Sequence, residues 1–299
     1  MELSASTKLL AVIGDPIHHS MSPTMHNVAI EQLDIDYVYV AFHVKPNSLD
    51  KACEGFRALE ITGVNVTIPH KINIMKYLDE IDPLARGIGA INTIKNENGK
   101  LIAKNTDGIG ALNSLKDAGF NPQGRKVIIL GCGGAAKAIS FTLAQSMEEV
   151  VLVNRTYEKA INLKKNLDEF FSDSQNRADL GMDDPPRIKS LKWDTRSVNT
   201  EMEDAELFIN TTSVGMSPDS DTSPLDTLAI SLHPDLFVFD CVYNPLKTKL
   251  LRKAESEGCK TLEGIDMLVK QGVEAFKWWT GYQPNADLMK KAAIKKLGL

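Results

Sequence analysis

Gly131, Gly133 and Ala136 stand in the G-x-G-x-x-G/A spacing of a dinucleotide-binding turn, directly after the apolar run Val127-Ile-Ile-Leu130. No side chain can stand where a backbone approaches a pyrophosphate, and the helix that follows supplies N–H donors and a positive dipole end. Cys132, Gly134 and Ala135 complete the turn. About twenty residues on, the run Val150-Val-Leu-Val153 ends in Asn154-Arg155-Thr156, with Lys159 one helical turn further. A site for a free ribose usually carries Asp or Glu at that strand end, to accept from the 2′-hydroxyl. A neutral residue followed by a cation suits a 2′-phosphate, which an acid would repel. The competing readings are a turn that merely joins strand to helix and a solvated surface arginine. The strand before, the helix after and the second strand at the right distance favour the nucleotide. A charge-assisted bond from arginine is worth about 1.5–3 kcal/mol, or roughly ten- to a hundredfold in affinity, which favours NADP(H) over NAD(H).

Four further polar groups lie in the first third of the chain. In His19-Ser20-Met21-Ser22-Pro23 an extended backbone would aim both hydroxyls at one ligand, although Ser22 could simply cap the helix that Pro23 opens. In Asn65-Val66-Thr67-Ile68-Pro69-His70-Lys71, Asn65 and Thr67 share one strand face while Val66 and Ile68 take the other. Lys71 follows directly, where open α/β sheets bind ligands. Asn92 and Thr93 form the third group and Asn105-Thr106-Asp107-Gly108 the fourth, where Asp107 could be an ordinary N-cap. Each has a bland reading alone; serines, amides, a lysine and an aspartate together at strand ends are harder to explain that way.

The elements that must position these residues alternate strand with helix, which implies α/β layers and a mainly parallel sheet. Strands are expected at 9–13, 37–42, 64–68, 126–130, 150–153, 188–191, 207–209 and 237–241, with a hairpin 91–95/100–104 turning at Asn98-Gly99. The polar, breaker-rich segment Ser172–Pro186 reads as an exposed loop. Two domains are expected: 107–264 binds the nucleotide, while the C-terminal helices from Ile265 cannot fold alone and should rejoin residues 1–106. A net charge of −5 argues against nucleic acid or an anionic membrane as a main partner. No apolar run approaches a membrane span, and the N-terminus lacks signal-peptide features. The cysteines (Cys53, Cys132, Cys241, Cys259) have no C-x-x-C spacing and read as reduced thiols in a cytosol. No metal site is expected; His18 and His19 would point apart on an extended chain.

Taken together, these motifs resemble the shikimate dehydrogenase family, including its quinate/shikimate relatives. The resemblance covers nearly the whole chain, from Gly14-Asp-Pro-Ile-His-His-Ser-Met-Ser-Pro23 through Asn65–Lys71, Gly89–Thr93, Asn105–Gly108, Gly131–Ala136, Asn154–Thr156 and Asn210-Thr-Thr-Ser-Val-Gly-Met216 to Gly264–Gln271. It implies a substrate-binding α/β domain completed by C-terminal helices, and a Rossmann-type NADP-binding domain. It also implies reversible NADPH-dependent reduction of 3-dehydroshikimate to shikimate, on the cytoplasmic route to chorismate and the aromatic amino acids, by a monomer or homodimer. Ser20, Ser22 and Tyr243 would hold the substrate carboxylate; Asn65, Thr67, Lys71, Asn92, Asp107 and Gln271 would hold its hydroxyls. Asn154, Arg155, Thr156 and Lys159 would take the 2′-phosphate; Asn210, Thr211, Thr212 and Met216 would support the cofactor, and Gly264 would lie beside the nicotinamide. Lys71 would act as general acid in reduction and general base in oxidation, with Asp107 supporting its charge and fixing a substrate hydroxyl.

The chain departs from the family pattern at Lys159, where arginine is common, at Glu263, where aspartate is usual, and in a longer 172–186 segment. Three other readings stand beside this one. An NAD-dependent quinate/shikimate dehydrogenase would be decided at Ser20, Ser22 and Tyr243. A non-catalytic dinucleotide sensor would not need both Lys71 and Asp107. A folate-type carbon–nitrogen oxidoreductase would leave the serine pair without a carboxylate.

Overall fold

The computed structural model describes residues 3–298. Contacts divide it into two compact units: residues up to Gly110 joined by those from Val269, and Ala111–Leu268.

The first unit holds strands β1 (Lys8–Gly14), β2 (Tyr37–His43), β3 (Gly63–Val66), β4 (Glu80–Ile81), β5 (Thr93–Glu97) and β6 (Lys100–Lys104). Its helices are α1 (Ser22–Leu33), α2 (Leu49–Ala58), α3 (Pro83–Ile88) and the start of α4 (Asp107–Asp117). The strands form one mixed sheet in the order β2-β1-β3-β5-β6-β4, parallel where β1 meets β2 and β3 and antiparallel through the β5/β6 hairpin. Asn98 and Gly99, both at positive φ, make the hairpin turn. Leu10–Ile13 and Val64–Val66 are buried on both faces, because helices cover parallel strands on either side. The strand containing Asn65 ends at Val66, so Val66 and Ile68 do not share a buried face: Ile68 is 74 % exposed.

The second unit holds β7 (Lys126–Leu130), β8 (Glu149–Asn154), β9 (Arg187–Lys192), β10 (Leu207–Asn210), β11 (Phe237–Asp240) and β12 (Lys260–Leu262). Helices α5 (Gly134–Leu143), α6 (Tyr157–Ser172), α7 (Ser174–Asp179), α8 (Thr195–Met202) and α9 (Lys249–Ser256) connect them. Helix α10 (Gly264–Thr280) leads out of this unit, and α11 (Ala286–Lys296) belongs to the first. All six strands are parallel, in the order β12-β11-β10-β7-β8-β9. Numbered within the unit this is 3-2-1-4-5-6, the doubly wound order of dinucleotide-binding sheets. The order reverses between β7 and β10, and ligands of such sheets bind at the carboxyl ends of those strands. The glycine turn opens there. The segment read as a loop at 172–186 instead carries α7, capped by the Asp173 carboxylate accepting from the N–H groups of Gln175 and Asn176. A local Asx cap suffices for a single turn and leaves no hydrophobic periodicity to read.

Candidate active site

In the second unit, β7 ends at Leu130 and Gly131 turns the chain at φ 104°. A Cβ on Gly131 would stand 2.5 Å from Thr211 Oγ1, so the fold itself requires that glycine. Gly133 and Gly134 differ: both are exposed, and a Cβ on either would meet nothing within 4 Å. The fold itself therefore gives no reason for glycine at either position. Helix α5 starts with no side-chain cap and no acid in its first turn, so its leading N–H groups are available to an anion. Ala136 is fully buried where α5 meets the sheet. Asn154 turns back on its own loop, donating from Nδ2 to Thr156 O at 2.8 Å. Arg155 and Lys159 are exposed, and neither has an ion-pair partner among the described residues. Burial pushes the Cys132 thiol up to about 11, with Lys159 and Lys137 near enough to pull against it. Such a thiol is a packing group, not a nucleophile.

The loops beyond β10 and β11 are tied to this turn. Thr211 Oγ1 donates to Leu130 O at 2.8 Å. Asn210 is fully buried; its Oδ1 accepts from Thr212 N and Oγ1, and its Nδ2 donates to Asp240 Oδ1 at 2.9 Å. Asn210 thus holds the loop's main chain and offers no free group of its own. Asp240 also accepts from Thr248 Oγ1 at 2.7 Å and Val242 N at 3.1 Å, and burial lifts its carboxyl to about 6. Met216 and Tyr243 are exposed on these loops. Gly264 starts α10 against main chain, where a Cβ would stand 2.4 Å from Cys241 O.

In the first unit, Lys71 Nζ donates to Asp107 Oδ2 at 2.5 Å, although the two are 36 positions apart. Asn92 Nδ2 lies 2.7 Å from Asp107 Oδ1, 2.9 Å from Thr106 Oγ1 and 3.3 Å from Gln271 Oε1. Asn92 Oδ1 accepts from Thr106 N at 2.7 Å. Lys71, Asn92, Asp107 and Gln271 are therefore brought together. Gly110 permits this, since a Cβ there would lie 2.7 Å from Gln271 N. Asp107 is not the helix cap: Asn105 Oδ1 takes the Asp107 N–H, leaving the carboxylate to Lys71 and Asn92. Lys71 and Asp107 are partly buried, with side chains 26 % and 14 % exposed, so their attraction is less screened than at the surface.

Asn65 donates to Asn92 O at 3.1 Å and accepts from the Tyr39 hydroxyl at 2.6 Å. Thr67 follows, half-buried. Ser22 is the first residue of α1 rather than its cap, and Ser20 Oγ accepts from Ser22 N at 3.3 Å. A turn, with Ser20 N bonded to Ile17 O, brings the two serines together instead of an extended strand. The same turn sets the rings of His18 and His19 edge to face with centroids 4.5 Å apart, so they do not diverge. No group of His, Cys, Asp and Glu able to hold a metal occurs among the described residues. Nor is any described helix long and apolar enough to cross a membrane. The sequence reading missed Thr106 and Tyr39 as partners of Asn92 and Asn65; their bonds cross strands, and only a register could have revealed them.

Comparison with known proteins gives concordant results. The family model for the "Shikimate dehydrogenase substrate binding domain" matches residues 12–94, and that for the "Shikimate 5'-dehydrogenase C-terminal domain" matches 264–294. A curated relative from Methanocaldococcus jannaschii, a shikimate dehydrogenase (NADP(+)), is 43 % identical over 295 residues, covering 99 % of each chain. A crystal structure of a shikimate dehydrogenase in complex with NADP+ superposes with TM-score 0.85 at 42 % identity, over 99 % of this chain and 98 % of that one. A Listeria monocytogenes shikimate 5-dehydrogenase in complex with shikimate and NAD gives TM-score 0.87 at 37 % identity, over 97 % and 98 %.

Proposed function

This chain belongs to the shikimate dehydrogenase family, and from that premise we propose that it interconverts 3-dehydroshikimate and shikimate with NADP(H), in the cytoplasm and on the route to chorismate and the aromatic amino acids. The observation that carries the reading is the Lys71–Asp107 pair, joined to Asn92 and Gln271. The residues 1–106 and 265–299 are assigned to the substrate, and 107–264 to the cofactor.

Reduction of a ketone leaves developing negative charge on oxygen, and a positioned ammonium both stabilises that charge and supplies the proton. Lys71 Nζ has three donors and spends one on Asp107, so two remain for a substrate oxygen. In the reverse direction the same amine takes the proton from the substrate hydroxyl. Asp107 aims the lysine and can accept from a neighbouring hydroxyl. Ser20 and Ser22 stand at the N-terminus of α1, whose first turn carries no acid and no side-chain cap, which suits a carboxylate. Asn65, Thr67, Asn92 and Gln271 are assigned to the ring hydroxyls.

NADPH, when bound, supplies the hydride. Open space above Gly133 and Gly134, uncapped N–H groups on α5, and the cations Arg155 and Lys159, which have no ion-pair partner among the described residues, fit its pyrophosphate and 2′-phosphate. Asn154 and Thr156 complete the phosphate end. Gly131, Cys132, Ala135, Ala136, Asn210, Thr211, Thr212 and Met216 line or support the turn, and the main chain at Gly264 serves the nicotinamide end.

The test is nicotinamide absorbance with purified protein, offering shikimate or quinate with NADP+ or NAD+ in four combinations. Turnover confined to shikimate with NADP+ is expected. Comparable rates with quinate or NAD+ would move the protein to the dual-specificity relatives, and no turnover at all would remove the proposal.

A further inference from the structure

Asn65 offers a ligand only what the protein leaves unspent. Its Nδ2 faces Asn92 O, an acceptor with no proton, so the amide cannot flip without setting two oxygens against each other. With Nδ2 thus fixed, Oδ1 faces the Tyr39 hydroxyl, which must be the donor at 2.6 Å. The Tyr39 hydroxyl proton is thereby spent on Asn65, and the amide is held at both of its polar atoms. One buried phenol therefore fixes the orientation of the amide assigned to a ring hydroxyl.

The phenol is itself held on every side. Asn27, on α1, grips the Tyr39 main chain at the outer edge of the sheet: Oδ1 accepts from Tyr39 N at 2.9 Å and Nδ2 donates to Tyr39 O at 2.8 Å. The neighbouring His26 stacks flat on the ring, with centroids 4.3 Å apart and planes 7° apart. Phe276 stacks on the far face of that imidazole at 5.9 Å, and Trp279 leans on both rings. His26 is wholly buried, neither ring nitrogen has a partner, and burial lowers its basicity to about 3. A buried polar group left unsatisfied is destabilising, and a phenylalanine would stack there without that cost. The unsatisfied imidazole lies against the Tyr39 ring.

We propose that Tyr39 is a positioning residue for substrate binding: its hydroxyl locks the Asn65 carboxamide so that the remaining Nδ2–H faces a substrate hydroxyl. The proposal rests on Asn65 being a substrate contact.

A double-mutant cycle in the full-length protein tests it, with shikimate and NADP+ as the probes. Tyr39→Phe keeps the stacked ring and removes one hydrogen bond. It should raise KM for shikimate about 3- to 10-fold, with kcat changed less than about twofold and KM for NADP+ unchanged. Asn65→Ala should raise the same KM, and adding Tyr39→Phe to it should then have little further effect. A purely structural role for the phenol would lower the unfolding temperature and act equally in both backgrounds, which overturns the proposal. An unchanged KM in Tyr39→Phe beside a raised one in Asn65→Ala overturns it for Tyr39 alone. An unchanged KM in Asn65→Ala removes the premise as well.

Discussion

Around Lys71 the polar side chains already hold one another: Asp107, Asn92, Thr106 and Gln271 are bonded in one connected set. Around Gly131 the second unit offers main-chain N–H groups, open space above two glycines, and two cations without ion-pair partners among the described residues. The first arrangement fixes geometry before any ligand arrives, which suits a step whose rate depends on placing a proton within a fraction of an ångström. The second leaves its binding groups unspent, which suits holding a charged ligand tightly but reversibly. Damage to the first should therefore appear in turnover, and damage to the second in the apparent affinity for cofactor.

The largest effect should come from Lys71→Ala. Removing a general acid–base costs typically about 100- to 10,000-fold in rate. The kcat measured at saturating shikimate and NADP+ should fall within that range, with KM for NADP+ little altered. A variant keeping a tenth of the turnover or more would mean that the Lys71–Asp107 pair is structural and that water or another group carries the proton.

Two aspartates, Asp107 partly buried and Asp240 fully buried, extend the comparison. Asp107 has a lysine, whereas Asp240 is fully buried with three hydrogen-bond donors and no cation among the described residues, and burial raises its carboxyl from 3.8 to about 6. The folded state thus binds the Asp240 proton more tightly than the unfolded chain does. Its contribution to stability is complete below about pH 4 and is lost as pH rises to about 6. A shift of that size corresponds to about 3 kcal/mol. Asp240→Asn removes the titration while Oδ1 still accepts from Asn210 and Val242. Urea unfolding at pH 4 and pH 7 should show the variant gaining about 3 kcal/mol on the parent between the two. A pH-independent difference would mean that Asp240 stays charged and satisfied by its three donors.

The same contrast explains what the sequence revealed. The second unit was legible because a glycine turn is a local device: spacing, flanking strands and the residue after β8 all fall within about thirty positions. In the first unit the residue types were legible but their bonds were not. Whether Asp107 caps a helix or pairs with Lys71 depends on β3, β5 and α4 converging, and Asn105 taking the cap decided it. Ser22 and Ile68 were misjudged for a related reason: neither lies on a strand, Ile68 standing just past the end of β3 and Ser22 opening α1, so alternation does not apply to them. Tyr39 left no signal, because an aromatic on an alternating strand reads as core until its hydroxyl is seen to reach Asn65.

Arg155→Ala should act on the cofactor alone. The loss of a charge-assisted contact predicts a KM for NADP+ raised about ten- to a hundredfold, with KM for shikimate and the rate with NAD+ nearly unchanged. If NADP+ and NAD+ suffer equally, Arg155 supports the loop rather than the 2′-phosphate, and Lys159 becomes the stronger candidate for it.

The smallest effect is also the most discriminating. Gly133 has φ −83° and ψ −166°, a conformation open to alanine, and its Cβ would find empty space. Alanine is a poorer N-cap than glycine, yet it also restricts the unfolded chain; each effect is about 0.5–1 kcal/mol and they oppose. Gly133→Ala should therefore leave the unfolding temperature within a few degrees of the parent. KM for NADP+ should nonetheless rise about tenfold, the cost of pushing a pyrophosphate off one main-chain N–H. Gly131→Ala, at positive φ and against Thr211, should instead lose stability outright. Two glycines of one turn would then separate cleanly, one required by the fold and one by the ligand. Should Gly133→Ala bind NADP+ normally, the pyrophosphate does not lie along this turn, and the open space above it has no function that the second unit explains.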